Sequence, residues 1–168
     1  MITKGEIELY FTAQKQAGWW FAAIGLIAVA AAIVCWQYQR NPFGKGLAAP
    51  LILFGLMQCA AGLRVYNESD ALRISNVYAV DMNPQQLKTT ELPRMKNIQK
   101  RFAVYRWIQA IMLMAGMLLL FFLRRTPGSF WYGFGITWCV QVVVIAVVYY
   151  FAAQRAAHYI GKLMIDGQ

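Results

Sequence analysis

The chain of 168 residues is 60% hydrophobic, 15% aromatic and only 14% charged, and it carries a formal net charge of +9 at pH 7. These values exclude an ordinary soluble domain, and the length suits one compact membrane domain. We therefore expect residues 1–168 to form a single integral membrane domain. A basic excess in a membrane protein indicates topology and contact with lipid head groups, so we expect membrane lipid as a partner and no nucleic acid.

The first two predicted spans form a helical hairpin. Residues 18–38 are apolar, with Trp19 and Trp36 near the two ends, where tryptophan prefers the membrane interface. A turn is expected at Asn41–Gly44 because Asn, Pro and Gly interrupt regular structure. The second span is predicted over residues 47–64.

Small residues mark one face of each helix in this hairpin. Gly25, Ala28 and Ala32 recur at three- and four-residue steps in the first span, and Gly55 lies in the second. Small side chains let the backbones of two helices approach closely in a membrane. We interpret these four residues as contact stripes for a partner.

The middle segment, residues 65–103, is hydrophilic and is predicted to lie outside the membrane. Asn83-Pro84 predicts a break in the chain, because the residue before a proline is disfavoured in a helix. Before this break, residues 68–83 fit either a helix or a short strand, and the periodicity does not decide between them. After it, Thr90 is the expected N-cap of the third helix, with Pro93 in the first turn.

The third and fourth spans form a second hairpin. They are predicted over residues 104–123 and 130–152, and Thr126–Ser129 forms the turn between them. The helical pattern of the fourth span continues to Leu163. The predicted fold is therefore an all-α, polytopic membrane four-helix bundle with cytoplasmic helical extensions.

The basic residues predict the orientation of the chain. Of the 16 lysines and arginines, only Arg40, Lys45, Arg124 and Arg125 lie in or beside the two short turns. Basic segments are retained in the cytoplasm, so the middle segment and both termini are expected to be cytoplasmic. The two short turns then lie on the outer side.

Three glutamines are the strongest polar features of the predicted spans. Gln58 lies in the second span, Gln109 in the third and Gln141 in the fourth, and Gln58 and Gln109 are expected at similar depth. Such side chains form hydrogen bonds between helices or line a pocket for a head group or a quinone. The hydrogen bond is the simpler interpretation, and the pocket stays open as an alternative.

The segment before the third span is the most distinctive predicted surface. Met95, Ile98 and Phe102 recur at helical spacing on one face, whereas Lys96 and Lys100 point largely elsewhere. This face either packs on neighbouring helices while the basic residues contact anionic lipid, or it docks a protein partner. We include Met95, Ile98 and Phe102 among the candidate partner-binding residues.

The polar residues argue against an enzyme or a cofactor protein. No Asp, Glu, Lys, Arg or His lies deep in a predicted span, whereas transporters and intramembrane proteases place such residues there. The three cysteines lack metal-ligand spacing, and His158, the only histidine, cannot supply a pair of haem ligands. Motifs of serine hydrolases, zinc proteases and phosphate-binding loops do not occur. We therefore expect no enzymatic activity, no metal and no cofactor.

The C-terminal half carries a recognisable pattern. It reads RMxxIxxxFxxYRWIQ from Arg94, FWYGFGI from Phe130, VQ at residues 140–141 and AxxRAxxYI from Ala152. This pattern resembles a scattered group of small bacterial integral membrane proteins of undescribed function. The plan of four spans, two minimal outer turns and cytoplasmic termini is similar to that of the membrane-embedded immunity proteins that protect bacteria against pore-forming colicins. That second likeness is architectural and transfers no functional residue.

The predicted function is non-catalytic binding of a protein partner in a bacterial inner membrane. The leading hypothesis is an immunity protein that neutralises a membrane-active toxin, because the bundle is well built and carries no recognisable chemistry. Two alternatives stay open. One is a protein that binds or transports a lipid, quinone or solute at the glutamines, and the other is an accessory membrane subunit of a larger complex.

Overall fold

The computed structural model describes residues 3–165, and the long elements of this part are four helices. In chain order the elements are α1 (Lys4–Tyr38), α2 (Pro42–Met82), the short α3 (Pro84–Gln86), a π-helical turn (Leu87–Glu91), α4 (Leu92–Phe122) and α5 (Phe130–Ile165). The four long helices are each long and apolar enough to cross a membrane. The all-α, four-helix fold is confirmed, and the lengths and composition indicate a multi-pass membrane protein.

Side chains cap the N-termini of α1 and α2. The Thr3 hydroxyl accepts a hydrogen bond from the Glu6 amide at 3.3 Å, and the Glu6 carboxylate accepts one from the Thr3 amide at 3.0 Å. This reciprocal capping box satisfies amides that otherwise lack partners at the start of α1. At α2, the Asn41 side chain accepts from the Gly44 amide at 2.9 Å. The predicted turn at Asn41–Gly44 is thus shorter than expected, because the helix already begins at Pro42.

The undecided stretch of residues 68–83 is helical up to Met82. It continues α2 beyond its apolar span without interruption, so the strand alternative is wrong. The apolar residues fall on two sides of this helix, which explains why their periodicity was ambiguous: Leu72 and Val77 pack inward, whereas Ile74 and Tyr78 are exposed.

The predicted break at Asn83-Pro84 is confirmed, but the predicted N-cap is wrong. α2 ends at Met82, and Thr90 lies inside the π-helical turn. α4 begins at Leu92, and the preceding Glu91 already has helical backbone angles without a capping side chain. The helical turns of residues 84–91 lead directly into α4, so no free amides need a cap there.

The four long helices pack in a row, in the order α1, α2, α5 and α4. α1 packs along α2, α2 along α5, and α5 along α4. Within residues 3–165, α4 makes no comparable contact with α1 or α2. The most apolar stretch of the segment containing α4 is only 6% buried, against 39% for α2 and 33% for α1. α4 is therefore the least covered helix of the bundle.

The helices run beyond their apolar spans at one end of the bundle, which we call the extended end (residues 4–17, 65–82, 84–103 and 153–165). A cluster of buried apolar side chains lies there. Every long helix contributes to it: Ile7, Phe11, Ala79, Leu87, Met95, Ala156, Tyr159, Ile160 and Leu163. Burying one large apolar side chain stabilises a fold by about 1.5–3 kcal/mol, so this cluster fixes the four helices relative to one another outside the apolar spans.

Ion pairs attach α1 to its neighbours at the extended end. Lys15 pairs with Asp70 of α2, and Glu6 pairs with Lys162 of α5. Hydrogen bonding to Lys15 lowers the pKa of Asp70, and hydrogen bonding to Lys162 lowers the pKa of Glu6. Both carboxylates stay ionised at neutral pH and hold α1 in register with α2 and α5.

Candidate functional site

Two of the three predicted intramembrane glutamines meet between α2 and α5. The Gln58 amide donates a hydrogen bond to the Gln141 carbonyl oxygen at 2.9 Å. The side chains are 1% and 4% exposed, respectively. This is the interhelical hydrogen bond expected from the sequence, and it ties α2 to α5 within the apolar region.

One polar atom of this pair has no partner. The Gln58 Oε1 atom is buried and accepts no hydrogen bond from the described residues. Leaving a buried acceptor unpaired costs about 1–3 kcal/mol, so such an atom marks a place where a donor from outside the chain would be bound favourably.

Gln58 and Gln109 line the same cavity, which we call the inner cleft. This cleft has a volume of about 230 Å³ and lies between α2 and α4, with α5 behind it. Gln109 contributes from α4, although it does not join the hydrogen bond between the other two glutamines. The remaining lining of the inner cleft is largely apolar or aromatic: Phe21, Phe54, Met57, Ala61, Tyr105, Ile108, Met112, Val142, Ile145 and Tyr149.

A larger cavity, which we call the outer groove, separates α4 from α5. Its volume is about 780 Å³, and its walls are residues 99–113 of α4 and residues 142–157 of α5. Gln109, Val142 and Tyr149 line both the outer groove and the inner cleft. Over this stretch α4 therefore borders a cavity on each side, and the Tyr149 ring of α5, which contacts Phe102 and Tyr105, lies between the two cavities.

Contacts toward both ends of α4 attach it to the rest of the bundle. Toward the end of the bundle that carries the two short turns, the Trp138 indole donates a hydrogen bond to the Met112 carbonyl at 2.9 Å. A Cβ on Gly116 would lie 2.6 Å from the Cys139 sulfur and 2.9 Å from the Trp138 Cδ1 atom, so the absence of a side chain on Gly116 allows this close approach. At the extended end, Met95 is fully buried in the apolar cluster. The roles of Trp138 and Gly116 do not follow from the sequence, because a tryptophan and a glycine inside apolar spans have many possible neighbours.

The predicted small-residue stripes lie inside the chain, between α1 and α2. Gly25, Ala28 and Ala32 are buried on α1, and Gly55 is buried on the facing side of α2. A Cβ on Gly25 would come within 2.6 Å of the Gly55 carbonyl oxygen. These residues make the close helix contact that their size predicts. A partner could use them only if α1 and α2 separated.

The predicted docking face before the third span also packs within the chain. Met95 belongs to the buried cluster, and Ile98 and Phe102 pack against that cluster. The Phe102 ring lies edge-on to the Tyr149 ring, with centroids 5.8 Å apart. Phe102 additionally lines the outer groove. In this structure the face supports α4, and a role in partner binding stays a prediction.

A buried ion pair lies where the π-helical turn meets α4. Glu91 is 4% exposed, and both of its carboxylate oxygens accept from the Arg94 guanidinium, at 2.7 and 2.8 Å. The rings of Tyr10 and Tyr159 stack nearby, with centroids 4.3 Å apart. Burial raises the pKa of Tyr10 to about 12 and also raises the pKa of Tyr159, so both phenols stay neutral. No local sequence pattern signals this cluster, because it joins residues far apart in the chain.

The described residues offer no candidate metal centre. Within residues 3–165 no group of three or more His, Cys, Asp or Glu side chains could hold a metal ion. The three cysteines are free thiols in the same part of the chain. Comparisons with known protein families, with curated proteins and with solved structures find no match to this chain.

Proposed function

We propose that this chain is a non-catalytic membrane protein that binds a partner protein within the bilayer, and that α4 is its docking helix. The observation that carries the proposal is the position of α4 at the end of the row, where only 6% of its most apolar stretch is buried. A helix supported along one side presents the largest surface for another helix to cover.

The inner cleft gives the partner a defined position. A partner helix laid beside α4 and α2 would cover the cleft and give α4 a second neighbour. The exposed side chains on α4 include Ile108, Ile111 and Met114. The methionine side chain adapts its shape to a partner, and a well-packed helix contact is the main source of affinity in lipid.

The partner class that we propose is a membrane-active toxin, which makes the chain an immunity protein of a bacterial inner membrane. The support is the likeness in plan to colicin-immunity proteins. The placement of all but four basic residues away from the two turns supports cytoplasmic termini. In this orientation the extended end lies in the cytoplasm, and the docking helix crosses the bilayer that the toxin attacks.

Survival assays test the proposal. Cells that produce the chain are challenged with pore-forming toxins of the colicin class, including any toxin encoded beside the gene. Production is expected to protect cells against one of them. Ala61→Phe fills the inner cleft and should abolish protection, whereas Ala60→Phe is a matched control, because Ala60 is exposed and does not line the cleft.

Equal membrane levels of the two variants, measured by immunoblotting, make the comparison valid. Equal survival of producing and non-producing cells would overturn the toxin assignment. Protection that persists in Ala61→Phe would overturn the cleft as the docking position.

The unpaired Gln58 oxygen favours a second candidate function. An apolar small molecule that carries a hydroxyl or N–H donor could fill the inner cleft and supply the missing hydrogen bond. Mass spectrometry of the purified protein would then reveal a defined bound molecule. Gln58→Leu should release that molecule, whereas an immunity protein with the same substitution should still protect cells.

A further inference from the structure

We propose that the outer groove binds one anionic phospholipid, with its head group at Arg106 and an acyl chain running between α4 and α5. The outer groove adjoins the inner cleft proposed for the partner helix and shares Gln109, Val142 and Tyr149 with it, but Arg106 lines the outer groove alone. With a volume of about 780 Å³, the outer groove is larger than the inner cleft of about 230 Å³. It opens to the surroundings of the bundle, where lipid is the available apolar occupant.

The lining of the groove changes from polar to apolar along its length. Gln99 and Arg106 of α4 and Gln154 of α5 line the part toward the extended end. Leu113 of α4 and Val143 of α5 line the deeper part. Since a helix rises about 1.5 Å per residue, the α4 wall from Gln99 to Leu113 is roughly 20 Å long. A phospholipid has the same order of groups, with a polar head above an apolar chain.

The charge at the polar end selects an anionic head group. α4 contains no acidic residue, and Arg106 is exposed and pairs with no carboxylate among residues 3–165. The preceding turns of α4 also carry Lys100 and Arg101. Each basic side chain near a membrane surface attracts anionic lipid by about 1 kcal/mol, which corresponds to about fivefold in binding.

Aromatic and amide contacts fix the walls of the groove. The Tyr149 ring is held edge-on by Phe102 and by Tyr105, with centroid distances of 5.8 and 5.6 Å. At the polar end, the Gln154 amide donates a hydrogen bond to the Tyr150 hydroxyl at 2.8 Å. These contacts belong to the chain itself, so the groove is built before a lipid enters it.

Native mass spectrometry tests the lipid site. The detergent-purified protein is mixed with equal amounts of phosphatidylglycerol and phosphatidylcholine, which share acyl chains and differ in head-group charge. The intact chain is expected to retain a single phosphatidylglycerol, preferred several-fold over phosphatidylcholine. Arg106→Gln should lower this preference about fivefold. Arg124→Gln, a charge control at the opposite end of the bundle, should leave it unchanged.

A second pair of variants tests the acyl-chain part. Ala146→Phe fills the groove and should reduce retention of both lipids, whereas Val140→Phe, an exposed position that does not line the groove, should retain them. Equal retention of the two lipids by the unmodified chain, or an unchanged preference in Arg106→Gln, would overturn the proposal. If Ala146→Phe loses several bound lipids at once while Arg106→Gln leaves lipid retention unchanged, the chain binds nonspecific surface lipid only, and this result would also overturn the proposal.

Discussion

Gly25 and Gly55 touch backbone to backbone across the α1–α2 contact. A Cβ on Gly25 would lie 2.6 Å from the Gly55 carbonyl oxygen, and a Cβ on Gly55 would lie 2.8 Å from the Gly25 carbonyl oxygen. Gly18 and Gly62 repeat this relationship toward the extended end of the same contact. Since the obstacle in each case is backbone, no side chain can move aside to admit a methyl group.

Gly25→Ala is therefore expected to push α1 and α2 apart and to destabilise the bundle. Overpacking a close contact costs about 1–3 kcal/mol, and the effect should appear as a lower midpoint in thermal or detergent unfolding. Gly161→Ala is the matched control, because it replaces a helical glycine with nothing within 4 Å of the added Cβ. Alanine favours helix by about 1 kcal/mol over glycine, so this control should be neutral or stabilising. Equal midpoints for the two variants would contradict the close contact.

The hydrogen bond between Gln58 and Gln141 makes a second prediction. A double-mutant cycle with Gln58→Leu, Gln141→Leu and the double variant should give a coupling free energy of about 0.6 kcal/mol, the average for hydrogen bonds between membrane helices. The coupling free energy is measured by unfolding the four proteins of the cycle in mixed detergent micelles. A cycle with Gln109→Leu in place of Gln141→Leu is the control, and its coupling to Gln58→Leu should be close to zero.

The sequence predicted the elements of the fold well because hydrophobic length is a strong signal. Runs long enough to cross a bilayer stand out from the polar segments, and the break at Asn83-Pro84 follows from local backbone sterics. The helix over residues 68–83 was ambiguous, because an exposed Ile74 and Tyr78 obscured the buried face. Only the packing of the extended end shows which side of that helix is buried.

The candidate site was less predictable than the fold. Residue type identified Gln58 and Gln141 as polar groups in apolar surroundings, but their pairing depends on α2 lying next to α5. The size of Gly25 and Gly55 indicates that another helix can approach them closely, yet the sequence does not say whether a small-residue stripe meets a helix of its own chain or of a partner. The inner cleft and the outer groove depend on how α4 is placed relative to α2 and α5, and no local sequence pattern encodes this placement.

The buried Glu91–Arg94 pair supports a third prediction. Arg94→Leu removes the partner of the Glu91 carboxylate, and Glu91 is only 4% exposed. We therefore expect the free energy of unfolding to fall by about 2–3 kcal/mol. This is below the value for fully buried pairs, because the Arg94 side chain is 30% exposed and partly screened by solvent. The double variant Glu91→Leu with Arg94→Leu removes both charges and should recover much of the loss. A double variant less stable than Arg94→Leu would contradict this account.

The pair of Glu6 and Lys162 predicts how stability depends on pH. Hydrogen bonding to Lys162 lowers the pKa of Glu6 below its ordinary value of 4.5, so the folded state favours the ionised carboxylate. The resulting stabilisation is fully present above that value and is lost as the pH falls through the lower pKa of the folded state.

Glu6→Gln tests this dependence, because glutamine can still accept from the Thr3 amide in the capping box while the charge is removed. At pH 7 the variant should unfold at a lower temperature than the unmodified chain in the same detergent. The difference should shrink below about pH 4.5, and it should also shrink in high salt, which screens partly exposed charges. Glu68→Gln is the control and should cause a smaller change, since within residues 3–165 Glu68 pairs only with the neighbouring and highly exposed Arg64. A difference that persists unchanged at low pH would show that residue 6 acts through helix capping, and that the ion pair to α5 contributes nothing.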